Sequence, residues 1–174
     1  LVEDNWNNDI LLVRAPTGAG KTDASLLWAS RQIAVHKADR LVIAMPTRFT
    51  ANALSVNVAA TLSDTGLYHS SAWYSKYSKV QNGELDMKEA LAQQKMANLL
   101  ATPITVCTID HLLMSLTFTQ ENHHLICSNL ANSCVVIDEA DFYDDFTLAN
   151  IIFLLKVLHN WKVPVLIMSA SLPE

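Results

Sequence analysis

A chain of 174 residues is long enough for one domain with a substantial core and short for two. Hydrophobic residues make up 51% and charged residues 17%, a balance that excludes a disordered chain. The net charge of −5 removes any global basic field, so a nucleic-acid partner would have to be held locally, by backbone amides, hydroxyls and a few cations.

Short apolar runs alternate with helical patterns along the chain. Ile10 to Val13 predicts a strand, followed by a Gly-rich turn. A helix is expected from Thr22 to about His36, with Leu26, Ala29 and Ile33 on one face. Leu41 to Met45 predicts a second strand, closed by Pro46, and Phe49 to Leu62 a helix. The stretch from Tyr68 to Asp86, rich in Ser, Tyr, Lys and Gly, reads as a strand edge and then an exposed loop. Met87 to Leu100 and Leu148 to Asn160 have helical spacing. Ile104 to Cys107, Val135 to Ile137 and Val165 to Met168 are further short, mostly β-branched runs. Strands that are apolar throughout and separated by helices imply an α/β fold, a parallel sheet with helices on both faces.

The three cysteines, Cys107, Cys127 and Cys134, show no C-x-x-C spacing, so reduced thiols in a cytosolic protein are expected rather than a zinc site or disulfides. No signal peptide is visible, and the longest apolar runs, at 151–155 and 163–168, are too short to cross a bilayer. A cytoplasmic protein without a membrane partner is the expectation.

"APTGAGKT", residues 15–22, lies between the first strand and the first helix, the setting a phosphate-binding loop requires. Pro16, Thr17, Gly18, Ala19, Gly20, Lys21 and Thr22 are the expected nucleotide-binding residues. Gly18 and Gly20 let backbone N–H groups turn inward around phosphate oxygens. Lys21 supplies a point charge to the β- and γ-phosphates, Thr22 offers a hydroxyl to Mg²⁺, and the helix N-terminus adds its partial positive charge. Ala15 stands where the general pattern has glycine.

Such a loop needs a carboxylate at the end of a neighbouring strand. "VVIDEADFYDD", residues 135–145, provides Asp138 to hold Mg²⁺ with Thr22 and Glu139 to accept a proton from the attacking water or to orient it. Three more stretches begin at strand ends: "MPTRFTANAL" at 45–54, "TPITVCTIDHLL" at 102–113 and "LIMSASLPE" at 166–174. Ligands of an open parallel sheet gather at that edge. Thr47 and Arg48 can bind a nucleic-acid phosphate, and Thr108 and Asp110, with a helix starting at His111, can add backbone contacts.

In order and spacing these stretches resemble motifs I, Ia, Ib, II and III of superfamily 2 helicases over nearly the whole chain. The resemblance implies that residues 1–174 form one RecA-like lobe with phosphate-loop NTPase chemistry, using ATP and Mg²⁺. It also implies that Asp141, Ser169 and Ser171 couple the ATP site to strand movement, with Ser-Ala-Ser in place of the usual Ser-Ala-Thr. The letters D-E-A-D alone would suggest a DEAD-box RNA helicase, yet P-T-R-F-T-A-N-A, T-I-D-H-L-L, I-D-E-A-D-F-Y-D and S-A-S-L-P are similar to the helicase part of the CRISPR-associated helicase–nuclease of type I systems. Asp141 departs from the histidine common there, and an aspartate can still hydrogen-bond to motif III or to a neighbouring loop. That family implies an ATP-driven motor on single-stranded DNA, recruited by an RNA-guided surveillance complex, with a second RecA-like lobe and an HD nuclease domain outside this chain. No His here is followed by Asp, so no nuclease site is assigned. A lobe without its partner is expected to hydrolyse ATP very slowly. A non-catalytic nucleotide-binding module and another superfamily 2 helicase, such as a DEAD-box RNA helicase, remain the alternatives.

Overall fold

Each apolar run expected as a strand forms one. The computed structural model describes residues 8–16, 18–48, 50–52, 54, 65–68, 86–119 and 121–170, with backbone alone at 65–68. In it β1 (Ile10–Arg14), β2 (Arg40–Met45), β3 (Thr65–Tyr68), β4 (Ile104–Thr108), β5 (Ser133–Ile137) and β6 (Val165–Ser169) pair side by side in the order β1-β6-β5-β2-β4-β3. Every pairing is parallel. The helices are α1 (Lys21–Ala34), α2 (Met87–Asn98), α3 (Ile109–Ser115), α4 (His123–Ala131) and α5 (Asp145–Asn160), with helical backbone also at 48, 50–52 and 54.

The central strands β2, β4, β5 and β6 bury both faces, while β1 at the edge leaves Ile10 and Leu12 exposed, and the alternation sorts the side chains into two cores. Val42 and Ala44 of β2 and Val135 and Ile137 of β5 face Leu112, Leu130, Leu154 and Leu158 from α3, α4 and α5. Leu41, Ile43, Cys134 and Val136 point the other way, toward Trp28 and Ala29 of α1 and Ala51 and Leu54. Cys107 and Cys134 are free thiols inside these layers, pushed up to about 12 by burial.

Two expectations are corrected. The buried face of α1 is Ser25, Trp28, Ala29 and Gln32, while Ile33 is 38% exposed and Leu26 only borders the core. A fully buried indole sets the rotation of the helix, and Ser25 is carried inside because its Oγ donates to the Thr22 carbonyl at 2.7 Å. Counting apolar letters alone misplaced that stripe. The edge strand is Thr65–Tyr68, ahead of the stretch expected from Tyr68 onward. Its backbone extends because it pairs with β4, which a four-residue segment containing glycine does not announce. The loop expected over 69–85 and the helix expected beyond residue 54 lie outside the described residues.

Strand order positions the site. Arg14 is level with Ser169, Met45 with Thr108 and Ala44 with Ile137, so the strands end on one edge. Along it the loops after β1, β6 and β5 come first, and those after β2 and β4 follow.

Candidate nucleotide site and the strand-end motifs

The glycine-rich loop leaves the sheet from a fixed point, since the Ala15 N–H donates to the Ser169 carbonyl at 3.0 Å. Gly18 and Gly20 have φ of +81° and +76°, which side chains rarely adopt. A Cβ at either would meet nothing within 4 Å. Backbone conformation, not crowding, therefore demands glycine, and the space in front of both is open. Gly20 is the N-cap of α1 and no side chain caps it, so the first-turn amides keep their donors for an anion. The Lys21 Nζ donates to the Ala15 carbonyl at 3.1 Å, lying back across the loop it would leave to meet a phosphate. Thr22 follows, half-buried at the start of the helix. Pro16, Gly18, Ala19 and Gly20 are exposed, and Thr17 lies outside the described residues.

The acidic turn after β5 is held more tightly. The Asp138 N–H continues the sheet by donating to the Ala44 carbonyl at 3.0 Å. Its Oδ1 accepts the Glu139 N–H at 2.7 Å, and the residue is only 7% exposed. Burial pushes the Asp138 carboxyl up, against the Glu139 amide and Lys21, which pull it down, and Asp141 adds to the rise. Glu139 is also pushed up, first by burial and then by Asp138 and Asp141, again opposed by Lys21. Glu139 sits in the left-handed region, φ 52° and ψ 45°, a strained setting for a residue with a side chain.

An acid whose folded-state pKa is raised adds stability below its unfolded pKa and loses it as pH rises through the folded value. At pH 7 the ionised Asp138 is then a net burden on the ligand-free fold. Asp138→Asn keeps the Oδ1 acceptor and removes the charge. Calorimetry without nucleotide should find Tm at pH 7 higher by about 2–4 °C, the shift that ~1 kcal/mol gives a domain this size. The gain should close below pH ~4, where an unshifted aspartate is itself protonated.

The remaining motifs divide between the two halves of the edge. After β6, the Ser169 Oγ donates to Asp141 Oδ1 at 2.8 Å, and the Ala170 N–H reaches the same oxygen at 3.4 Å. The segment after β6 is thereby tied to the acidic turn, and Ser171 lies outside the described residues. After β2, the Thr47 Oγ1 accepts the Thr50 N–H at 3.2 Å and is 3.0 Å from the Thr50 hydroxyl. Arg48 is exposed at the edge. After β4, Thr108 is 4% exposed, with its Oγ1 2.7 Å from His111 Nδ1, while Asp110 is exposed. Burial lowers the His111 pKa, Arg48 lowers it further and Asp110 opposes them, which places the loops after β2 and β4 within electrostatic reach.

Residues 3–174 match the DEAD/DEAH box helicase family. The chain belongs to that family. It is 31% identical over 98% of its length to a putative CRISPR-associated nuclease/helicase Cas3 of Methanocaldococcus jannaschii, covering 24% of that protein. A crystal structure of T. fusca Cas3-ATP superposes with a TM-score of 0.75 at 28% identity, over 94% of this chain and 18% of the other. A chain in a CRISPR RNA-guided surveillance complex, pre-nicking, has a TM-score of 0.61 and 26% identity over 94% of this chain and 16% of that one. The chain thus spans a quarter or less of these relatives.

For this DEAD/DEAH box domain, the structure gathers the expected nucleotide residues that it describes, all but Thr17, at one end of the sheet edge and Thr47, Arg48, Thr108 and Asp110 toward the other. The helix after β4 begins at Ile109, not His111, with Thr108 as its N-cap. Since the Thr108 hydroxyl faces His111, its offer to a partner reduces to the backbone contact expected of it. His111 itself was passed over as a contact, although the T-x-x-H spacing puts the two side chains on one side of a helix start. Tyr143 also has a contact that sequence reasoning did not assign: its hydroxyl donates to the Asp138 carbonyl at 3.3 Å. Among the described residues no three His, Cys, Asp or Glu side chains group to hold a metal. A Mg²⁺ taken up by Thr22 and Asp138 would complete its shell from phosphates and water, as that ion commonly does.

Proposed function

We propose that this chain is the ATP-binding lobe of an ATP-dependent motor that moves along single-stranded DNA in type I CRISPR interference. The observation that carries the reading is the sheet-edge order. The phosphate loop, the Asp141-linked serine and the two carboxylates stand together, and Arg48 and the α3 start stand beside them on the neighbouring strands. Hydrolysis on one half can then be felt on the other through the acidic turn, whose Asp138 N–H is bonded to the Ala44 carbonyl of β2. The likeness to CRISPR-associated nuclease/helicase proteins supports the CRISPR assignment.

In this reading the amides of residues 18–22 and Lys21 hold the phosphates. Thr22 and Asp138 would hold Mg²⁺, which supplies charge neutralisation at the phosphates when bound. Glu139 orients a water and takes its proton as the water oxygen bonds to the γ-phosphorus. The bond to the bridging oxygen then breaks and ADP departs with that electron pair. Its raised pKa brings Glu139 nearer the operating pH, where a general base works best. Loss of the γ-phosphate alters the Asp141–Ser169 link, and Thr47, Arg48, Thr108 and Asp110 pass that change to the strand. A second RecA-like lobe completes the site, an HD nuclease domain cuts, and a surveillance complex recruits the motor. No described helix is long and apolar enough to cross a membrane, and the role places the protein in the cytoplasm.

Steady-state ATPase of the complete protein tests this with single-stranded DNA against single-stranded RNA of the same sequence. DNA should stimulate turnover at least about ten-fold more than RNA, a difference of ~1.4 kcal/mol in transition-state stabilisation. Equal stimulation would favour an RNA-remodelling helicase, and the absence of turnover with either a nucleotide-binding module.

A further inference from the structure

Glu139 holds a left-handed backbone that only its surroundings can impose, and those surroundings can be traced bond by bond. On its amino side the peptide is fixed by Asp138, whose N–H is bonded to β2 and whose Oδ1 takes the Glu139 N–H. On its carboxyl side the Glu139 carbonyl accepts the Phe142 N–H at 3.0 Å, closing a turn of 3₁₀ helix over Ala140–Phe142. What remains is the Asp138 carbonyl, the oxygen of the peptide unit joining the two carboxylate residues. It receives the Tyr143 hydroxyl at 3.3 Å, in a bond buried from solvent.

Tyr143 is suited to act as a fixed post. The residue is 9% exposed and belongs to the same buried cluster as Cys107, Ile109 and Ile151. Immediately after it, Asp144 caps α5, its Oδ1 accepting the Thr147 N–H at 2.7 Å. The backbone on the far side of Tyr143 is therefore anchored to a 16-residue helix. Rotation of the 138–139 peptide, the motion that would relieve strain at Glu139, has to break the tyrosine bond.

Resting on the function proposed above, we infer that Tyr143 is a positioning residue for catalysis, whose hydroxyl locks the Asp138–Glu139 peptide so that the Glu139 carboxylate keeps its aim at the attacking water. The residue touches neither nucleotide nor metal and acts through Glu139. Its effect belongs in kcat and not in nucleotide affinity.

Tyr143→Phe removes the hydroxyl alone and leaves the ring in its cluster. In the complete protein at saturating single-stranded DNA, kcat should fall about 3- to 10-fold with KM for ATP within roughly two-fold of wild type. Tyr143→Leu, which removes the ring as well, should lose Tm that the phenylalanine variant keeps. Glu139→Gln is assayed in parallel. If Glu139→Gln is inactive and Tyr143→Phe turns over like wild type, the inference fails while the functional reading stands. Wild-type turnover by Glu139→Gln brings down the functional reading first, and the inference with it. A Tyr143→Phe defect that disappears in assays run ~15 °C colder would mark lost folding stability and would also overturn the inference.

Discussion

Glu139→Gln in the complete protein is expected to lower ATP turnover by about 10²–10⁴-fold, the range a positioned general base contributes, while leaving ATP binding intact. Glutamine has the same shape and can still orient a water, but it cannot take the proton. Nor should the substitution harm the fold. The left-handed backbone at position 139 is held by the Asp138, Phe142 and Tyr143 bonds, none of which involves the Glu139 side chain. Removing the charge relieves the repulsion from Asp138 that, after burial, helps raise Glu139. The variant should therefore accumulate bound ATP that the wild type consumes. A filter-binding measurement of ATP beside the steady-state rate checks both halves. Turnover within ten-fold of wild type would move the base elsewhere in the site.

Much of this arrangement was legible in the sequence because each piece is local. A strand, two glycines at positive φ and a Lys-Thr at a helix start can be recognised from adjacent letters, and so can an apolar run ending in Asp-Glu. What was hidden depends on partners far along the chain. Asp141 was expected to bond either to motif III or to a neighbouring loop, and the choice of Ser169, 28 residues on, follows from β5 lying beside β6. The edge strand Thr65–Tyr68 is extended by its pairing to β4, not by its own four residues. The face of α1 was misread because its buried ridge includes Ser25 and Gln32, which no apolar count includes. Tyr143 stood out only as a letter in a pattern. Its bond runs back to a main-chain oxygen, and the 3₁₀ turn that brings the ring there became visible only in the fold.

Lys21→Ala should abolish nucleotide turnover, with kcat/KM for ATP falling about 10²–10³-fold or more, the scale of removing one transition-state charge partner. Two losses combine. The phosphates lose their point charge, and the acidic turn loses the cation that draws Asp138 and Glu139 downward. With Lys21 gone both carboxyls rise further, so Asp138 is less ready to hold a divalent cation at neutral pH. Lys21→Arg should not restore activity. A planar fork cannot occupy the place of a compact ammonium on a loop where the Nζ already lies 3.1 Å from the Ala15 carbonyl. The second loss has a signature without nucleotide. Lys21→Ala raises the folded-state pKa of two acids, and the penalty is felt where they are ionised and absent where they are protonated. Its Tm should fall below wild type at pH 7, and the gap should narrow as pH drops toward ~4. A gap that stayed constant with pH would mean that Lys21 steadies the fold through its bond to the Ala15 carbonyl and not through the carboxylates.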